Sequence, residues 1–381
     1  MKPIFIFVFL FIMNSIYSQD TVQKFVVSGY ISNLQSAMFD SINKSWSNEN
    51  LLHNRINAKW YPFKNITLVA EMRNRLAWGD AITSNTSVES FSSDNGIVGL
   101  TWNVFSGKSY ILNSSFDRLN IDWEKNKWKI TLGRQRINWS QTLVWNPNDI
   151  FNTYSFFDFD YVERPGSDAI RLQYYNSEVS STELAIKMNK GKKVTAAAYY
   201  KFNAFEYDFQ FIGGILNNED YVIGTGWSGA IKSVSFRGEI SYFHLIKNSM
   251  RSSDEILTSI GADYTFGNSF MIMAEYLYSD VKTIDSLSFM NFYQAPQTVK
   301  NLSFVKHNFV LQLTCPVTPL LNAGLAGMFF PGIKGYYLGP SLTYSLAQNL
   351  DASFYFQSFT GEILNQKQRF NLAFLRLKFS F

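Results

Sequence analysis

The sequence predicts an all-β protein: a single transmembrane antiparallel up-and-down β-barrel of about 18 strands, with 16 as the rival count. Three observations predict it. Segments of about ten residues alternate apolar and polar side chains with period two, as strands do when one face meets lipid and the other a lumen. The connections alternate between tight turns and long loops. The composition joins 35 Phe and 21 Tyr to only 9 Pro at a mean hydropathy of −0.10, which suits a sheet that is apolar on one face.

The chain opens with Met1-Lys2, an unbroken apolar run from Ile4 to Met13, and a more polar stretch from Asn14 to Gln19. This is the layout of an export leader over 1–19, cleaved after Ser18 or Gln19. The apolar run is too short to span a bilayer, which needs about 20 helical residues. No cysteine near the cleavage site offers a lipid anchor, and the lone Cys315 excludes an internal disulfide. The barrel is expected over 20–381, and segment 20–24 is too short for a plug domain.

Along that stretch the alternation repeats. Ile66, Leu68, Ala70 and Met72 oppose Glu71, Arg73 and Arg75. Leu184, Ile186 and Met188 oppose Glu183, Ala185 and Lys187. Ile256, Ile260, Ala262, Tyr264 and Phe266 oppose Ser259, Gly261 and Asp263, and Phe354 and Phe356 oppose Asp351, Ser353, Tyr355 and Gln357. Tight turns fall at 62–65, 124–127, 267–269, 316–319 and 348–349. Longer loops are expected near 38–50, 79–108, 139–168, 279–301 and 359–369. The count stays open between 18 and 16 because 97–105 reads either as a strand or as folded loop. A soluble β-sandwich also alternates, but globular strands usually run about five or six residues. The outward faces here carry aromatics near their ends. The chain ends on Leu375, Leu377, Phe379 and Phe381, all on one face. That closing strand resembles the C-terminal signal read by barrel-assembly machinery, with Phe379 and Phe381 as its residues.

The most distinctive stretch is 116–172. A strand runs into Gly133-Arg134-Gln135-Arg136-Ile137-Asn138-Trp139, then Trp145-Asn146-Pro147-Asn148-Asp149, then Arg164-Pro165-Gly166-Ser167-Asp168. A strand ending in Gly-Arg-Gln, then Asn-Trp, then a long Asn-Pro loop closing on Pro-Gly, resembles porin-like outer-membrane proteins of proteobacteria and Bacteroidota. Ser140 stands where that pattern carries a glycine. The resemblance implies an outer-membrane location and a channel role, and names no solute. Strict alternation puts Arg134 and Arg136 on the lipid side with Trp128, Ile130 and Leu132, unless the strand bulges near Gly133 or both lie above the bilayer.

Loop 139–168 exceeds the roughly 12–15 residues beyond which loops are usually functional or disordered, and Tyr154, Phe156, Phe157, Phe159 and Tyr161 argue against disorder. It reads as an inward-folded constriction, or else as an outward lid. Its acids Asp149, Asp158, Asp160 and Glu163 are expected to face wall bases Arg55, Arg73, Arg75 and Arg171 across the pore. Lys59, Arg118 and Arg237, with Glu71, Asp122, Glu183, Glu239, Asp263 and Glu275, complete the polar wall. Such charges persist at membrane depth where water or an opposite charge meets them.

Enzyme readings fare poorly. His53, His244 and His307 are far apart in sequence and sit in no hydrolytic setting. No metal spacing and no phosphate-binding glycine motif appears. No cofactor, metal or nucleic acid is expected. The expected partners are outer-membrane lipid, barrel-assembly machinery and a small hydrophilic solute. The expected function is passive diffusion of such solutes. A filled, non-conducting barrel that binds or assembles at the surface is the alternative, and an outer-membrane hydrolase is the weaker one.

Overall fold

The computed structural model describes residues 24–41, 46–83, 94–158, 163–246, 253–280, 298–303, 305–363 and 365–381. The leader region 1–19 and Asp160 lie outside them. The chain forms β1 (Phe25–Phe39), β2 (Ser47–Phe63), β3 (Ile66–Gly79), β4 (Thr101–Ser106), β5 (Tyr110–Lys125) and β6 (Trp128–Gln135). After a long loop come β7 (Ser167–Ser177), β8 (Ser180–Met188), β9 (Val194–Ala204), β10 (Tyr207–Leu216), β11 (Asp220–Ile231) and β12 (Val234–Leu245). The circuit ends with β13 (Glu255–Thr265), β14 (Met271–Ser279), β15 (His307–Thr318), β16 (Leu321–Phe330), β17 (Gly335–Ala347), β18 (Leu350–Ile363) and β19 (Gln366–Ser380).

Apart from β4, each strand pairs antiparallel with the next in the chain, and β1 pairs with β19 from Tyr30↔Ser380 to Phe39↔Asn371, so the sheet closes. Closure removes the unpaired edges that a sheet cannot carry in hydrocarbon. Eighteen strands form the wall. The ambiguous 97–105 region resolves as β4, which lies outside the circuit: β3 pairs directly with β5, and β4 adds to the other side of β5 where the short β6 has ended.

Both termini and an unbroken row of short turns share one end; the long loops lie at the other, with short connections such as 217–219 and 331–334 among them. One expectation is corrected. The stretch 359–369 is no long loop, because Thr360↔Arg369 through Ile363↔Gln366 continue the ladder to a two-residue turn, with Asn365 at φ 60°. Its run of Thr, Gly, Glu, Gln and Lys looked like a loop because strands rising above the membrane need no apolar face.

Outward positions are apolar and exposed, Ile56, Leu132, Ile170, Ile186, Ile223 and Leu375 among them. A Lys or Arg there would cost about 2–4 kcal/mol at mid-bilayer. Aromatics gather near both ends of this band: Trp128 against Tyr174 and Phe202 against Phe209 at the turn end, Phe309 against Phe329 and Phe329 against Tyr336 at the loop end. Rings paired across strands at interface depth anchor a barrel in its bilayer.

The closing strand ends in a specific fit. Phe381 exchanges two backbone hydrogen bonds with Gly29, at 2.8 and 2.9 Å, and its ring lies against the space where a Gly29 side chain would be. Phe379 and Phe381 are both about half exposed on the lipid side (47% and 45%).

Candidate functional site

Residues 136–158 and 163–166 turn into the barrel, and two wall carboxylates hold the first of these stretches. Glu239 on β12 accepts the backbone N–H groups of Gln141, Thr142 (2.9 Å) and Asn148 (2.9 Å). Glu275 on β14 accepts those of Leu143 (3.0 Å), Val144 (3.1 Å) and Trp145 (2.7 Å), together with the Ser259 hydroxyl. Both carboxylates are buried. A loop whose amides converge on an anion is an internal nest. The neighbouring wall adds to the hold. The Gln210 amide donates to Trp139 O, Ser241 Oγ donates to Pro147 O, and the Asn148 amide donates to Thr225 O.

The aromatic residues complete the crossing. Trp139 is 2% exposed; it stacks on Tyr199 of β9 and donates to Glu183 of β8. Phe157 packs edge-on against Tyr337 of β17 and Phe359 of β18, and Gln357 donates to its carbonyl. Glu163 then reaches Arg55 of β2 at 3.7 Å and accepts from Tyr30 of β1. Asn152 ties the two limbs of the stem, accepting from Ile137 N–H at 2.7 Å and donating to Pro165 O at 2.9 Å. The loop thus contacts strands around most of the wall.

The inner surface is layered. On β19 the inward residues run Phe370, Leu372, Phe374 and then Arg376 and Lys378; on β18 they run Phe359, Gln357, Tyr355, Ser353, Asp351; on β12, Phe243, Ser241, Glu239, Arg237. The loop-end layer is apolar and packs with Trp145, Ile150, Phe151 and Phe157 of the inward loop and with Val299, Leu302 and Val305. Each fully buried side chain of this kind stabilises by about 1.5–3 kcal/mol. Below it the wall is polar. On the loop side, a cavity of about 480 Å³ lies among Asp94, Arg134, Asn152, Lys187, Asp220 and Lys300.

Charges on the wall are mostly paired. Arg55, fully buried, meets Glu71, Asp117 and Glu163, and Arg73 meets Asp117 at 3.4 Å. Arg171 pairs with Glu183, Arg237 with Asp263, and Lys300 with Asp220 and Glu255. Arg134 bridges Asp94 (3.0 Å) and Asp168 (2.6 Å). It faces inward because Gly133 sits at φ +115°, which breaks the alternation while β6 keeps its register with both neighbours; a side chain at Gly133 would meet Leu119 O at 2.3 Å.

Among the described residues, Glu163 of the loop meets Arg55 of the wall. Arg73 lies on Asp117, Arg75 donates to Asn113, and Arg171 is committed to Glu183 beneath Trp139. Asp158 is exposed. Asp149 is buried, and its charged neighbours are Arg136, Lys187 and Arg164; burial pushes its carboxyl up to about 6 against the pull of those cations. The clamping role of Glu239 and Glu275 was missed, since period two shows only that they face inward. The apolar layer was missed too. Its signal was present where strand ends turn apolar on both faces, as at Tyr242-Phe243, Ile256-Leu257 and Phe329-Phe330. The histidines stand apart: His53 contacts Tyr30, His244 contacts Asp254, and His307 contacts Tyr276.

No family model matches the sequence, and no curated protein matches it. Solved structures do. The chain is similar to Acinetobacter baumannii OccAB3 at TM-score 0.61 and 9% identity, over 94% of this chain and 99% of that one. Pseudomonas aeruginosa OpdQ matches at 0.58 and 10%, and A. baumannii OccAB4 at 0.56 and 11%, each over 94% of this chain and 99% of the other. These neighbours are outer-membrane porins, and at such identities the likeness is one of fold: this chain is a closed, 18-stranded antiparallel β-barrel of the porin-like architecture.

Proposed function

We propose that the barrel is a channel for passive diffusion of small hydrophilic solutes, narrowed by segment 136–166. The observation that carries this is the clamp of Glu239 and Glu275, which fixes the loop across a lumen whose turn-end half is lined by charged and polar side chains. A rigid strap in a polar tube sets an aperture without closing a hydrolytic site, and the proposal includes no catalysis. Residues 1–19 act as the export leader, and Phe379 and Phe381 as the assembly signal. The wall bases Arg55, Arg73, Arg75 and Arg171 set the field around the aperture mainly through the networks they anchor, with Asp149, Asp158, Asp160 and Glu163 as the loop's contribution.

The apolar layer at the loop end favours a second reading, a filled barrel that does not conduct. Planar-bilayer recording of the purified protein separates the two. Stepwise conductance that rises when residues 154–161 are removed supports the aperture. Silence from both proteins would establish the filled barrel instead.

A further inference from the structure

Arg136 and Arg164 are exceptions to the pairing of the wall cations. Among the described residues Arg136 makes no hydrogen bond or ion pair, and its Nε is buried without a partner. Arg164 has no carboxylate partner either; its guanidinium lies over the Tyr154 ring. The two come from opposite limbs of the loop stem. Arg136 follows Gln135, whose strand partner is Ser167, and Asn152 holds Ile137 N and Pro165 O on one side chain; across this tied stem the two guanidiniums are close enough to repel each other.

The arrangement is held at a cost. Arg164 sits at φ +61°, a backbone conformation that a non-glycine residue rarely adopts. Arg118 fixes that backbone by donating to the carbonyls of Glu163 (2.7 Å) and Arg164 (3.0 Å). Tyr154 is fixed in turn by donating to Leu143 O at 3.0 Å. Burial first, and also the nearby Arg136 charge, draws Arg164 below its usual range. Asp149 acts on both arginines but has Lys187 as a further cationic neighbour, so among the described residues three cations share one buried acid. Both are half-buried.

We propose that Arg136 and Arg164 form a binding site for a divalent oxyanion at the inward loop, and that this site selects sulfate- or phosphate-like groups among permeating solutes. Guanidiniums match tetrahedral oxyanions by paired N–H donors. Two neighbouring cations favour a dianion over a monoanion such as acetate. The role in permeation rests on the channel reading, whereas the binding itself does not.

The test is titration calorimetry of the folded barrel in zwitterionic detergent, with sodium sulfate and sodium acetate at constant ionic strength. Saturable sulfate binding, weaker acetate binding, and a loss of about tenfold or more in sulfate affinity in both Arg136→Gln and Arg164→Gln are expected. Arg136→Lys should retain part of the affinity. Heat-modifiable gel mobility reports that each variant is folded. No saturable sulfate binding by the native chain would overturn the site. Acetate binding as tight as sulfate, or native affinity in folded Arg136→Gln, would overturn it as well. In planar bilayers Arg136→Gln should lower anion preference in the reversal potential. A barrel that binds sulfate through these arginines yet never conducts keeps the site and sinks the channel.

Discussion

Replacing Glu239 and Glu275 together by glutamine should release the inward loop while leaving the barrel intact. In Glu239, one oxygen accepts two loop amides and the other accepts Asn148 N–H. A glutamine offers one acceptor oxygen, and its NH₂ then points a donor at a donor. At best one charge-assisted bond is lost per site, worth about 1.5–3 kcal/mol, and the surviving bonds lose their charge assistance. Opening of segment 141–148 then becomes about 10- to 150-fold more frequent per site. The two effects will not simply add, because both carboxylates hold one short segment. Hydrogen exchange resolved by mass spectrometry, in detergent, reads this directly. Amides 141–148 should exchange faster in each single variant and fastest in the double one, with strand amides unchanged. Bilayer recordings of the double variant should show larger or noisier steps. Native exchange at 141–148 in the folded double variant would refute the clamp.

Other perturbations follow from the same geometry. Deleting Phe381, or replacing Gly29 by Val so that the ring loses its seat, should lower outer-membrane levels without blocking export across the inner membrane; fractionation checks this. Gly133→Val forces a β-branched residue to φ +115° against Leu119 O and should lower the heat-modification midpoint, with a cost of about 1–3 kcal/mol. Arg55→Met removes the shared cation of Glu71, Asp117 and Glu163 and should cost about 3–5 kcal/mol in urea unfolding from detergent. For Asp149 the folded value of about 6 lies above the usual 3.8, so the folded loop binds the proton more readily than a free chain. Its contribution is fully present below about pH 4 and is lost as pH rises through about 6. Exchange at the loop should therefore quicken over that interval, and Asp149→Asn should flatten the dependence.

The barrel was legible because its rule is local. A residue such as Leu184 or Arg73 declares its face by its neighbours two positions away. The loop's inward course had only indirect signals, its length and its rings. Its anchors were hidden because Glu239 and Gln141 are far apart in sequence and meet only when the sheet curls. Pairing of loop acids with wall bases misled for the same reason. Depth along a strand decides whether Arg171 meets the loop or Glu183, and alternation carries no depth. At Gly133 the sequence held part of the answer, since a glycine before an ill-placed arginine marks a break in the alternation; the chain makes that break through the φ of Gly133, with the register of β6 unshifted.

The clamp also imposes an order of events on the making of the barrel. Asn148 is bonded to a carboxylate 91 residues downstream, and Leu143 to one 132 residues downstream. Contacts of such separation form late, because the intervening chain must first be brought back on itself. Until β12 and β14 have joined the sheet, segment 141–148 has neither anion to hold its amides nor apolar wall against which to bury Trp145. The strap therefore settles after the wall has curved around it, and a barrel caught before that moment is a wider vessel than the finished one.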